Sequence, residues 1–225
     1  MGEVYMQQLV SLRQRWILGE QVDVLASYRK LVERFPEDAL VWREYGRALF
    51  AAHADEEQVL VVFEQAYALE PDSVMTLLYL GALYELGYGK GYPEAVAVYQ
   101  RILELAPMES AARVDAYVGL GLLYLAAPEV PRNLQTSQEM FQEALKLNPE
   151  DAEIHKSLGL VLHERNNFAR AREELKRAEQ LCEEQGKPAG TLQKYLQRVE
   201  HHEPFTGGSY CAPAMVWEWP NGPLE

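Results

Sequence analysis

Two glycine-rich stretches, a few histidines and two cysteines are the residues whose types and spacing first suggest chemistry. Gly119-Leu120-Gly121 begins like a dinucleotide-binding turn, where glycines let the backbone approach a pyrophosphate. It lies within a helical apolar stripe and lacks the third glycine, so it reads as a packing feature. Gly87-Tyr88-Gly89-Lys90-Gly91 resembles a fragment of a phosphate loop, but neither Ser nor Thr follows the lysine, and a long turn is the expectation. His155 and His163 are eight residues apart. On a helix that is about two turns, or ~12 Å, too far to share one metal ion. His155 is expected to pack and His163 to face a groove. His201-His202 is expected at a helix C-terminus, where positive charge is mildly favoured. Cys182 and Cys211 form neither a CxxC nor a zinc pattern and fit a reduced, cytoplasmic chain. No nucleophile–base pair can be assembled from the sequence. The expectation is therefore a protein that is not an enzyme and has no metal and no cofactor.

The elements that would position any site must come from 225 residues, of which 48% are hydrophobic and 24% charged. This is ordinary for a globular protein and enough for a packed core without metals or disulfides. Lys and Arg number 21 against 34 Asp and Glu, a formal charge of −13. Such acidity argues against nucleic acid and anionic membrane as main partners. The start MGEVYMQQLV has neither a positive n-region nor an apolar h-region, so no signal peptide is evident. The longest apolar run, 118–127, is too short to span a bilayer.

Organisation appears as a repeat. Glycines recur at Gly46, Gly81, Gly121 and Gly159, and prolines at Pro36, Pro71, Pro107 and Pro149, all at intervals of 35 to 42 residues. Periods of this length mark stacked repeat arrays. Around each glycine the apolar residues fall at i, i+3, i+4 and i+7, as in Trp42-x2-Tyr45-Gly46-x2-Leu49 and Tyr117-x2-Leu120-Gly121-x2-Tyr124. That spacing predicts an amphipathic helix. A second stripe comes after each: Val59-x3-Phe63-x2-Ala66, Ala95-x3-Tyr99-x2-Ile102, Ser137-x3-Phe141-x2-Ala144 and Ala171-x3-Leu175-x2-Ala178. The first three run on to a proline, which cannot continue a helix. A mid-helix glycine costs ~1 kcal/mol relative to alanine, so four at one register point to close helix packing.

These motifs resemble the tetratricopeptide (TPR) repeat family, whose pattern is W-x2-L-G-x2-Y, then A-x3-F, then P. The resemblance covers about residues 38–181 and implies an all-α fold: a right-handed superhelix of antiparallel helix pairs. The expected plan is a degenerate helix pair in 1–37, four repeats in 38–185, a capping helix in 186–202 and an aromatic, proline-rich tail in 203–225. Extra residues at 52–55, 87–92 and 127–133 lengthen turns, and those between Pro107 and Tyr117 are expected to lengthen the next helix at its start.

In this family the first helix of each repeat lines the concave face. Carried over residue by residue, the resemblance implies a peptide-binding groove including Arg13, Arg43, Arg47, Leu78, Tyr79, Ala82, Val118, Leu122, Leu125 and Lys156. The set is basic near its N-terminal end and apolar in the middle. Some family members hold the carboxylate tail of chaperones with a lysine–asparagine–asparagine–lysine–arginine clamp. No three successive repeats here supply it, so that partner is not expected. The leading expectation is a non-catalytic scaffold binding a protein or peptide in its groove, without nucleic acid and without membrane insertion. The alternative is an assembly factor or self-associating scaffold that uses its convex face or its tail; an accessory subunit of an enzyme is remote. For the tail three readings stand: packing on the cap helix, lying in the chain's own groove, or anchoring a partner through Trp217 and Trp219.

Overall fold

Short polar residues set where most helices begin. Asp38, Asp55, Ser73, Asn133, Asp151 and Asn167 each accept a hydrogen bond from backbone N–H groups of the first helical turn. These caps satisfy donors that a helix start otherwise leaves without partners. In the computed structural model the backbone is described for residues 2–203 and side chains for residues 5–203. Among the described residues there are eleven helices and no strand. They are α1 (Gly2–Ile17), α2 (Gln21–Arg34), α3 (Ala39–Ala51), α4 (Glu56–Leu69), α5 (Val74–Glu85) and α6 (Tyr92–Leu105). The remainder are α7 (Ala111–Ala126), α8 (Leu134–Leu147), α9 (Ala152–Glu164), α10 (Phe168–Glu184) and α11 (Gly190–Glu200). Pro36, Pro71, Pro107 and Pro149 each sit two residues past the last residue of α2, α4, α6 and α8.

The pairs α3/α4, α5/α6, α7/α8 and α9/α10 are held by one repeated contact. The repeat glycine of the first helix faces the large side chain of the second. A Cβ built on Gly46 would lie 2.8 Å from Phe63, one on Gly121 2.8 Å from Phe141, and one on Gly159 2.8 Å from Leu175. Tyr99 stands against Gly81 in the same way and also against Gly119 of the next pair. Phe63, Tyr99, Phe141 and Leu175 are all fully buried. At Ser137, where the pattern has alanine, the hydroxyl donates to the Gly121 carbonyl at 2.6 Å and so is satisfied within the interface.

First helices also touch one another, α5 on α7 and α7 on α9. This closer row is the inner side of the curve, and the second helices form the outer side. Helix α7 begins six residues before Tyr117, whereas α3, α5 and α9 begin three before their counterparts Trp42, Leu77 and His155. The added turn carries Arg113, whose guanidinium donates to the carbonyls of Leu103 and Ala106 and to the Tyr117 hydroxyl at 3.0 Å. It thereby closes the end of α6. In the turn before α6, Gly87, Gly89 and Gly91 all adopt positive φ, which glycine alone accepts readily.

Two apolar clusters fill the array. One runs from α1 to α7 and includes Leu120 and Leu123; the other runs from α7 to α11 and includes Leu122 and Leu125. Helix α11 lies on α10 with Leu192 and Val199 inward, and Gln193, Lys194, Gln197 and Glu200 exposed. At the opposite end Ile17, Leu18 and Val22 are exposed.

Gly121→Val tests the shared contact. It should lower the stability of the chain by about 1–3 kcal/mol through overpacking against Phe141, read as a shift of the urea midpoint. Gly186→Ala is its control for backbone strain without overpacking, at a glycine with nothing within 4 Å of an added Cβ but with φ +66°. It should cost about 1 kcal/mol by the same measurement.

Candidate binding groove

The inner row places its residues in a graded order. At the N-terminal end Arg13 of α1 and Arg47 of α3 converge on Glu44. Arg13 donates through Nε to Oε2 at 2.7 Å and through Nη2 to Oε1 at 2.8 Å; Arg47 donates through Nη1 to Oε1 at 2.9 Å. The Glu44 side chain is fully buried and the two arginines nearly so. The fork geometry of a guanidinium suits such two-point contact with a carboxylate. Among the described residues, two guanidiniums thus surround one carboxylate at this end. Arg43, one residue before Glu44 and also buried, donates to Glu70 Oε2 at 2.8 Å and to Ser73 Oγ at 2.9 Å, tying α3 to the next turn. Above the cluster, burial drives the Tyr28 phenol well upward, with the Glu44 charge adding to it and the two arginines opposing.

The sequence does not reveal that Arg13 and Arg47 hold a carboxylate of the same chain. Glu44 is thirty-one residues from Arg13, and no local pattern signals that pairing. Tyr79 is likewise placed more deeply than a groove wall. It stacks on Phe63 at 4.4 Å and meets Phe50 edge-on at 5.4 Å, leaving 1% exposed. Its phenol is pushed up to about 12, by burial first and against the pull of Arg47. Leu125 is 1% exposed and belongs to the C-terminal apolar cluster. Leu78 and Leu122 are also buried, while Ala82, Val118 and Lys156 are half-buried, Lys156 paired with Glu153. Trp217 and Trp219 lie outside the described residues.

The middle of the row carries an acidic spot at Glu85. The Tyr99 hydroxyl donates to Glu85 Oε2 at 2.8 Å. Burial raises the Glu85 carboxyl to about 7, partly offset by that hydrogen bond. Glu85 borders a depression of about 210 Å³ with Tyr92, Leu122, Ala126 and Pro128. Farther on, His155 does not face the row. Burial lowers its pKa, but hydrogen bonds to Glu174 at 2.7 Å and the Pro149 carbonyl at 3.0 Å outweigh this, and the net shift is upward. His163, buried and edge-on to Phe168, is shifted downward, chiefly by burial. Among the described residues no group of three His, Cys, Asp or Glu side chains could hold a metal ion, and no helix is long and apolar enough to cross a membrane.

The tetratricopeptide repeat family profile matches residues 25–74 and 132–186. These two segments are tetratricopeptide repeats, and the chain has the fold of a TPR solenoid. Solved TPR arrays share the fold at low sequence identity. MamA from Desulfovibrio magneticus RS-1 superposes with a TM-score of 0.66 at 23% identity, over 80% of this chain and 96% of that one. YrrB, described as a TPR protein with an unusual peptide-binding site, gives 0.57 at 18% identity, over 78% and 86%. A chain of the Cut9–Hcn1 hetero-tetramer of the APC/C gives 0.62 at 17% identity; the match spans 86% of this TPR chain and 35% of that one. No curated protein matches the sequence.

Removing Glu44 leaves two buried guanidiniums facing each other. Glu44→Ala should therefore cost about 3–5 kcal/mol of stability, measured by chemical denaturation. Glu85 makes a second prediction. Its folded pKa, about 7, lies above the ordinary value of 4.5. Its contribution to stability is thus full below pH 4.5 and is lost as pH rises through 7, amounting to roughly 3 kcal/mol. Glu85→Gln should remove this part of the decline when urea midpoints are compared across that range.

Proposed function

We propose that this TPR protein is a non-catalytic scaffold whose inner row binds a peptide carrying apolar anchors and an acidic group. The observation that carries the reading is the order of side chains along that row. An arginine cluster at Arg13, Arg43 and Arg47 is followed by Leu78, Ala82, Val118 and Leu122 along one face. An extended or helical peptide crossing the first helices would place apolar side chains beside Ala82 and Leu122 and a carboxylate toward the arginines. Because Arg13 and Arg47 already hold Glu44, the peptide's acid would share the cluster, an arrangement that favours one acidic group over a run of them. The peptide-binding site described for YrrB is a precedent within the same fold, and the chain's own acidity disfavours nucleic acid as a partner.

Ala82 provides a test that spares the buried arginines. Peptides selected from a random display library on the full chain are expected to pair an acidic residue with aromatic or aliphatic ones. Ala82→Arg should weaken their binding at least tenfold by filling the row, whereas Val61→Arg on the outer helix α4 should leave it unchanged. Affinity that survives Ala82→Arg would place the binding surface elsewhere. Fluorescence anisotropy of the selected peptides reads both variants.

A further inference from the structure

One carboxylate in the middle of the inner row is set up differently from its neighbours. Glu85 ends α5, one turn beyond Ala82 on the same side of that helix. The Tyr99 hydroxyl donates to its Oε2 at 2.8 Å. Tyr99 is itself wedged between Gly81 and Gly119, so this oxygen is held in place. Among the described residues no lysine, arginine or histidine pairs with Glu85. Glu44, by contrast, is held by two arginines, and Glu70 and Glu164 pair with Arg43 and Arg132. Asp115 of α7 also bears on the Tyr99 hydroxyl, so the surroundings add negative charge instead of cancelling it.

The depression beside Glu85 has a lining suited to one long basic side chain. Its volume is about 210 Å³; Glu85 supplies the acid, Tyr92 a ring, and Leu122, Ala126 and Pro128 apolar walls. Lysine and arginine have the matching make-up. Their aliphatic stems rest on apolar surface while the charged head goes elsewhere. Here the head would meet the carboxylate, and the Tyr92 ring adds a face that attracts cations. A guanidinium or an ammonium forms a charge-assisted hydrogen bond with a carboxylate, stronger than a neutral donor makes. A neutral donor would also leave the charge of Glu85 uncompensated, whereas a cation within about 4–6 Å favours the ionised form. A metal ion is a poorer fit, since among the described residues no group of three His, Cys, Asp or Glu side chains could hold one.

We propose that the depression at Glu85 is a subsite for one lysine or arginine side chain of the bound peptide, with Glu85 receiving its charged head. This rests on the peptide-groove reading and adds a basic residue to it. The ligand is then dipolar, with its acid toward Arg43 and Arg47 on α3 and its base at the end of α5. A peptide lying the other way round would bring like charges together at both places, so the two sites also select the direction of binding.

The test uses the full chain and two probes. Peptides selected on it from a random display library should carry one lysine or arginine besides their acidic residue. Replacing that residue by an uncharged isostere, citrulline for arginine or acetyllysine for lysine, should weaken binding about tenfold or more. On the Glu85→Gln chain the same replacement should change affinity little. Glu85→Gln keeps an acceptor for the Tyr99 hydroxyl and removes only the charge. Glu57→Gln removes the same charge from the exposed start of α4 and should leave the penalty in place. A penalty as large on Glu85→Gln as on the native chain overturns the proposal, and so do selected peptides without a basic residue. The second probe is N-acetylargininamide, titrated to tens of millimolar into the isotope-labelled chain. NMR amide shifts should appear around Glu85, Leu122 and Ala126 and vanish with Glu85→Gln; no shifts there overturns the proposal. Failure of the groove reading looks different. Peptide affinity would then survive Ala82→Arg, while N-acetylargininamide would still shift the Glu85 signals of the native chain.

Discussion

The close approach of a large side chain to a glycine backbone is the constraint on which this array depends. Where Phe63 faces Gly46 and Phe141 faces Gly121, no side chain can separate the two helices of a pair. That fixes their spacing, and the spacing decides which helix of each pair lies inside the curve. Tyr99 extends the arrangement across a boundary, since it occupies the space beside Gly81 in its own pair and beside Gly119 in the next. Neighbouring pairs are thus registered by one ring. The inner row inherits its order from this geometry, and so does the succession of charges and apolar residues along it.

Several charged groups within that row are held by side chains of the same chain. Glu44 holds Arg13 and Arg47, Ser73 and Glu70 hold Arg43, and Glu85 receives the Tyr99 hydroxyl. Buried ion pairs of this kind contribute little net stability, because desolvation offsets most of their attraction. Their effect here is positional. The Arg13–Glu44 contact ties α1 to α3, and the charged cluster at that end gives the row a direction that an apolar surface alone would lack.

Much of this was legible from local signals. The glycine and proline registers describe contacts within one helix pair, and the residues that make them lie within about twenty positions of each other. The lengthened start of α7 was legible for the same reason. Depth was harder to read. Tyr79 and Leu78 are adjacent on the same stripe, yet Tyr79 is drawn into the aromatic stack of Phe50 and Phe63 because α3 and α4 both present rings to it. The burial of Glu44 could not be read locally, since its partner Arg13 comes from α1, thirty-one residues earlier. Nothing in the sequence around Glu85 marks its raised carboxyl pKa. The rise comes from burial, and the Tyr99 hydroxyl on another helix partly offsets it.

Helix α7 has a consequence for how the molecule comes apart. Leu120 and Leu123 complete the N-terminal apolar cluster, while Leu122 and Leu125 on another side of the same helix complete the C-terminal one. Each half can loosen only by stripping one side of α7 while the other remains covered. Linear arrays unfold through neighbours, and contiguous groups of elements open as cooperative units. In this chain the boundary between two such units runs through a single helix. A fluctuation that starts at either end meets, at α7, a second core that must be lost separately, and the helix acts as a firebreak between partial and global unfolding.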